Sequence, residues 1–385
     1  MKHFLLLLLC FFLNNYLYSQ ANQYISTNLL YGRMIESHPE YASRGSAYFL
    51  EYSYSRETFG NSYWHKALNY PEIGFSFLYG NAGEKNILGE SLSLATSLTF
   101  TYKKWKNVEF SGKYLLGFSY HTKTFNRIEN PINKIISTRI TDITYASLLL
   151  SVNISERWKT WGGVTVIHCS NAHYKIPNGS SNYFLLQVGI KYRANQLKNI
   201  QKSENIFLSE HKWHFATNIS LGIHEFGLAT TPTNGAKYPI YLFSTYFLKR
   251  YSNVKAFHLG LFFAYYTSFY DYMRFKNLSN TNLAFKKSFV VAPFLGYEVL
   301  LGKFSWVFKV GVKIYDPFFK ELNDIQDTKR GINVFLKEII CTRFGVQYYF
   351  SNISQNFHYK PYIGILVKTN SIQADFLELT TGFVF

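Results

Sequence analysis

Cysteine is scarce in this chain, with three in 385 residues. Cys10 lies in an apolar leader, so Cys169 and Cys341 are the two left for the mature protein. That number excludes a disulfide-stapled fold and any zinc or haem cysteine spacing. Long apolar runs are missing too. Beyond the leader no segment offers the roughly eighteen consecutive apolar residues of a membrane helix. Acidic residues are few, 23 against 40 Lys and Arg, giving a formal net charge of +17. There is no D/E-x-D/E metal cluster, no glycine-rich phosphate loop and no low-complexity tail.

What is present points to the cell envelope. Residues 1–20, MKHFLLLLLCFFLNNYLYSQ, carry a positive end and an apolar stretch, Phe4–Leu13, too short to span a bilayer. They read as a signal peptide cleaved near Ser19 or Gln20. Hydrophobic residues make up 47% of the chain and aromatics 19%, with 32 Tyr and 36 Phe. A soluble protein seldom uses so many rings, although a secreted β-sandwich that binds sugar or peptide would. A membrane barrel places them on its lipid face and in its interfacial girdles. For an exported protein the basic balance favours anionic lipid over nucleic acid.

The mature part alternates with period two over sixteen candidate strands. They are 23–34, 45–56, 73–80, 91–103, 108–122, 141–156, 160–170 and 183–194, then 213–224, 239–249, 253–267, 288–300, 304–315, 338–350, 360–369 and 373–385. The polar stretch Gln196–Lys212 divides the two sets. The expectation is an all-β, transmembrane antiparallel barrel of the outer-membrane type with about 14–16 strands over 21–385. The alternative is an eight-stranded barrel, 23–194, followed by a second β domain over 213–385. Short turns near 102–107, 155–160, 250–253 and 301–304 would face the periplasm and long loops the exterior. The segment 59–72 is awkwardly long for a periplasmic turn. The final strand ends on Phe385, as suits a closing edge.

Trp161–Tyr192 holds the chemistry. On the strand 160–170, Val164, Val166, His168 and Ser170 share one face, with Cys169 on the other. On the next strand Asn182, Phe184, Leu186 and Val188 share a face opposite Gln187 and Lys191. With Gln187 and Lys191 in a polar lumen, His168, Ser170 and Asn182 point to lipid at the outer rim. A serine nucleophile needs a base and a third group that holds the imidazole in its useful tautomer. His168 and Ser170, at i and i+2, can converge. Antiparallel pairing would bring Asn182 to the His168 ring, and Asn171 could donate to an oxyanion.

The blocks His168-Cys169-Ser170-Asn171-Ala172 and Pro177-Asn178-Gly179-Ser180-Ser181-Asn182 resemble the lipid A 3-O-deacylase (PagL-like) and acyloxyacyl hydrolase family of outer-membrane barrels, especially its longer Bacteroidetes-type forms. The resemblance implies an eight-stranded deacylase-like portion at 23–194 and an extension at 213–385. It implies His168 as base, Ser170 as nucleophile and an Asn as oxyanion donor. One departure matters. The family's third residue is Glu, and the matching position here is Asn182, which can orient a histidine but cannot offset an imidazolium's charge. Glu129 and Asp142 are the nearby carboxylates that would substitute.

The resulting expectation is hydrolysis of an acyl ester of lipid A at the lipid-facing outer rim of a Gram-negative outer membrane. Lipid A or lipopolysaccharide would be the partner, with Lys123, Arg127 and Lys175 meeting its phosphates. No cofactor, metal or nucleic acid enters this reading. The alternative is a non-enzymatic pore or transporter, or a degenerate hydrolase that has kept only the shape. The sequence leaves the ester cleaved, the lumen size and the oligomeric state open.

Overall fold

The computed structural model describes residues 22–35, 45–60, 62–195, 212–252, 254–325, 331–351, 359–371 and 373–385. The leader 1–20 and residues 196–211 of the polar stretch lie outside the described residues. Sixteen strands appear in chain order. The first eight are β1 (Gln23–Met34), β2 (Ser46–Glu57), β3 (Glu72–Asn81), β4 (Glu90–Trp105), β5 (Val108–His121), β6 (Ile140–Asn153), β7 (Trp158–Ser170) and β8 (Ser181–Arg193). The second eight are β9 (Trp213–Glu225), β10 (Lys237–Ser252), β11 (Lys255–Tyr266), β12 (Phe289–Leu301), β13 (Phe304–Val312), β14 (Ile340–Tyr349), β15 (Lys360–Asn370) and β16 (Gln373–Val384).

They form two closed antiparallel barrels, β1–β8 and β9–β16. A single barrel of 14–16 strands is therefore corrected. β8 pairs along its free edge with β1, from Tyr24 against Arg193 to Met34 against Tyr183, so it has no edge left to receive β9. β9 pairs instead with β16, and the Phe385 N–H donates to the Phe215 carbonyl at 2.8 Å, sealing the second barrel at its seam.

Period-two alternation builds both walls inside out relative to a soluble protein. On β8, Phe184, Leu186, Val188 and Ile190 are exposed while Gln187 and Lys191 are buried. An apolar exterior over a polar interior is the arrangement of a barrel that crosses a membrane. Eight strands leave an interior just wide enough for side chains to fill, and here these are paired charges. In the N-terminal barrel Glu51 accepts from Lys113 Nζ at 2.5 Å and Asn28 Nδ2 at 2.7 Å, while Lys191 meets Glu72 at 2.6 Å. In the C-terminal barrel Arg343 grips Glu378, and Glu298 accepts from Tyr349 OH at 2.8 Å and lies 3.0 Å from the His258 ring. Such groups tolerate removal from water because each finds an opposite charge or a hydrogen bond.

Among the described residues, five short helices sit outside the walls: α1 (Tyr63–Ala67), α2 (Thr267–Phe275), α3 (Thr281–Lys287), α4 (Pro317–Ile325) and α5 (Ile332–Ile339). The last four occupy two of the long outer loops. α1 explains the long turn between β2 and β3, because it reaches the other barrel. Tyr63 OH donates to the Gly302 carbonyl at 3.4 Å, and the Trp64 indole packs on Gly302. Gly302 has φ +76, a left-handed conformation that glycine adopts freely at the tight β12–β13 turn.

α1 is held by His65, whose Nδ1 accepts from the Gly60 N–H at 3.2 Å. Burial, with Arg56 adding repulsion, pushes the His65 pKa down to about 4. The folded state therefore binds fewer protons than the unfolded chain between about pH 6.5 and 4, and stability falls as pH falls through that window. Melting midpoints in detergent should drop between pH 7 and 4, and H65N should flatten that slope. An equal slope in both proteins would remove His65 as the cause.

Candidate functional site

The strand ends of β6, β7 and β8 and the loop 171–180 carry the candidate residues. Register sets their places: Asp142 is opposite Ser170, Thr144 opposite His168, and His168 opposite Asn182. His168 and Asn182 are half-buried on the outer face, and His168 Nδ1 lies 2.7 Å from Asn182 Oδ1. An amide oxygen there accepts a hydrogen bond from Nδ1–H, which leaves Nε2 as the ring's acceptor.

Ser170 is engaged elsewhere. It is buried, and its Oγ accepts from the Ala172 N–H at 3.1 Å, Asn178 Nδ2 at 3.0 Å and Ser180 Oγ at 3.2 Å. Its own N–H donates to Asp142 Oδ1 at 2.7 Å. No hydrogen bond joins His168 to Ser170 among the described residues. Ala172 and His173 both adopt left-handed φ, 51° and 65°. These two residues turn the chain so that the Ala172 N–H points back at Ser170.

The remaining candidates are scattered. Asn171, expected at an oxyanion, spends its Nδ2 on Ser137 Oγ at 3.0 Å and the Lys175 carbonyl at 2.8 Å. Asn178 and Ser180, which belong to the second sequence block but carried no assigned role there, take the place beside the Ser170 hydroxyl. Glu129 is exposed in the β5–β6 loop and bonds Asn126. Asp142 alone of the carboxylates lies at the site, on the Ser170 backbone. Lys123 donates to the Asn86 carbonyl at 2.7 Å, and Arg127 reaches the other barrel at the Thr233 carbonyl, 3.2 Å away. Lys175 is half-buried at the rim, and its carbonyl accepts from Ser137 Oγ at 2.8 Å as well as from Asn171 Nδ2. Cys169 is buried and faces the lumen side of the wall.

The loop 171–180 is also clasped by the C-terminal barrel. Asn178 N–H donates to the Ala229 carbonyl at 2.7 Å, Ile176 N–H to Glu225 Oε2 at 3.0 Å, and Glu225 N–H to the His173 carbonyl at 3.1 Å. The His173 ring nitrogen Nε2 lies 3.2 Å from the Gly227 carbonyl, and burial lowers the ring's pKa. These contacts link residues 49 to 54 apart and leave no local signal in the sequence.

Comparison with known proteins adds a link at one end of the chain. Residues 211–385 match the family model described as the acyloxyacyl hydrolase C-terminal domain. This ties the C-terminal barrel to that family; the matched residues are less than half of the chain and do not include 168–182. No curated protein matches. Among solved structures, the outer-membrane enzyme PagL is similar over 43% of this chain and 97% of its own, at 17% identity and a TM-score of 0.34. A BenF-like porin from Pseudomonas fluorescens Pf-5 is similar over 95% of this chain and 98% of its own, at 9% identity and a TM-score of 0.21. An outer-membrane channel from Pseudomonas putida F1 covers 95% and 96%, at 9% identity and a TM-score of 0.17. Scores this low carry no functional argument.

The expectation of an enzyme that hydrolyses lipid A is corrected by the geometry. A serine hydrolase needs its hydroxyl within reach of the base and a carboxylate to stabilise the imidazolium. Here the Ser170 hydroxyl is held by the loop, the His168 ring faces an amide, and no catalytic dyad or triad is assembled among the described residues. The hydrolase, lipid A deacylase and acyloxyacyl hydrolase descriptions of the chain's activity fall with it. The outer-membrane and β-barrel descriptions stand.

Proposed function

We propose that this chain is a non-enzymatic outer-membrane protein, a degenerate form of the hydrolase scaffold, that holds a lipid headgroup at its outer rim. One observation carries the reading: the Ser170 hydroxyl is occupied by Ala172, Asn178 and Ser180 while the His168 ring is paired with Asn182. At headgroup depth such a polar frame meets phosphate, sugar and water rather than hydrocarbon. The Lys175 ammonium can donate to a lipid phosphate and the His168 Nε2 can accept from a headgroup hydroxyl, two contacts a phosphorylated glycolipid offers, and lipopolysaccharide is the partner this favours. Export through a cleaved leader, and descent from the longer Bacteroidetes-type forms, belong to the same proposal.

A transporter is the second reading. It is favoured by a polar space of about 50 Å³ in the N-terminal lumen, lined by Glu72, Glu109, Lys113, Lys159 and Lys191. That space admits only a water or two, so a conducting path would require the ion pairs to part.

Protein reconstituted with native lipopolysaccharide tests both. The lipid A mass spectrum should be unchanged after incubation, lipopolysaccharide should co-purify, and K175E should reduce its retention several-fold. Stepwise conductance in planar bilayers would move the reading to the transporter. Release of a fatty acid that S170A prevents would overturn it altogether.

A further inference from the structure

The two barrels touch at both ends and leave a groove between them. It measures about 510 Å³ and runs between the outward faces of β2–β5 and the β12–β14 side of the second barrel. Phe75, Leu98, Leu116, Trp306 and Val346 line its walls. α1 closes the periplasmic end, with Trp64 against Gly302, and the Tyr114 and Trp306 rings approach to 6.2 Å across it. Arg56 lines the same end, is exposed, and makes no salt bridge among the described residues.

We propose that this groove binds one phospholipid of the periplasmic leaflet, one of its two acyl chains between the barrels and its phosphate on Arg56. The argument begins with the solvent. At this depth both walls face hydrocarbon, so water would hydrate apolar surface and an empty space would forfeit dispersion contacts on every side. A methylene fills about the volume of a water, roughly 30 Å³, so the groove takes on the order of fifteen carbons, one fatty-acyl chain. The charge decides the leaflet. Arg56 is a cation with a planar fork suited to phosphate, and it lies beside the short turns that mark the periplasmic side. A lipid from the outer leaflet would carry its phosphates to the opposite rim. The site is separate from the outer rim and does not depend on the reading proposed for it.

Native mass spectrometry of the full chain, extracted from vesicles of phosphatidylethanolamine and phosphatidylglycerol into mild detergent, tests this. One phospholipid per chain should survive extraction. L98W/L116W, which fills the groove, should lose it, and R56E should lower retention at least fivefold while the unboiled protein still runs as a folded barrel. A wild type that carries no more phospholipid than L98W/L116W would overturn the proposal. So would retention unchanged in R56E, or a lipopolysaccharide or detergent molecule in the same place. Should L98W/L116W fail to fold, R56E with the wild type still decides.

Discussion

E378L is expected to destabilise the C-terminal barrel by about 3–5 kcal/mol, the ordinary consequence of leaving a buried charge without its partner. Arg343 is 2% exposed and Glu378 0%. Arg343 Nε donates to Glu378 Oε2 at 2.8 Å and Nη1 to Ser244 Oγ at 3.0 Å, with a second guanidinium contact to Glu378 Oε1. Removing the carboxylate strands the guanidinium in a lumen that also contains Lys309, whose ammonium has no hydrogen-bond partner there. Two buried cations would then face one another with a single acid, Glu298, nearby. R343M/E378L should recover most of the loss, because an apolar pair needs no hydration. Urea midpoints of the folded band on unboiled gels measure both. A loss in E378L below about 1 kcal/mol would mean that water enters the lumen freely, and would lend weight to a conducting path.

The strands were legible because a barrel wall writes its pattern locally. Each wall residue is either lipid-facing or lumen-facing, so Phe184, Leu186 and Val188 alternate with Leu185, Gln187 and Gly189, and the run declares itself within ten residues. Closure is different. Whether β8 returns to β1 or goes on to β9 is decided by register between Tyr24 and Arg193, residues far apart in the chain, and no local pattern encodes it. The helices were missed for a related reason. α1 owes its place to Gly302 in the other barrel, and its five residues are too few to show a helical period.

The site divided along the same line. The faces of His168 and Asn182 followed from parity, since side-chain direction on a strand is fixed by counting. The occupation of the Ser170 hydroxyl did not, because it depends on the left-handed turn at Ala172 and His173 and on Asn178 folding back. A resemblance in residue types at those positions therefore said less about chemistry than the hydrogen bonds do. Asn171 illustrates this: the right residue type beside the serine, with its amide already committed to Ser137 and Lys175.

E225A is expected to release the loop 171–180 and cost about 3 kcal/mol or more. The Glu225 carboxylate is fully buried between the barrels. Oε1 accepts from Thr233 Oγ1 and the Gly235 N–H, both at 2.6 Å, and Oε2 accepts from the Ile176 N–H at 3.0 Å and Lys237 Nζ at 2.8 Å. Ile176 is 1% exposed, so its N–H would lose its partner away from water, at about 1–3 kcal/mol for that group alone. The hydrogen bonds to a charged acceptor add about 1.5–3 kcal/mol each at the upper end, less where water can replace them as at Lys237. Hydrogen exchange over 171–180 should accelerate by about a hundredfold while exchange in β1–β6 stays as in the wild type. E225Q, which keeps one acceptor oxygen, should fall between. If the loop is instead fixed by its own barrel through Ser170 and Ser137, exchange will not change in E225A, and the second barrel will have no part in shaping the outer rim. If exchange does rise, lipid retention at the rim should fall with it, because Lys175 is carried on the segment that Glu225 pins.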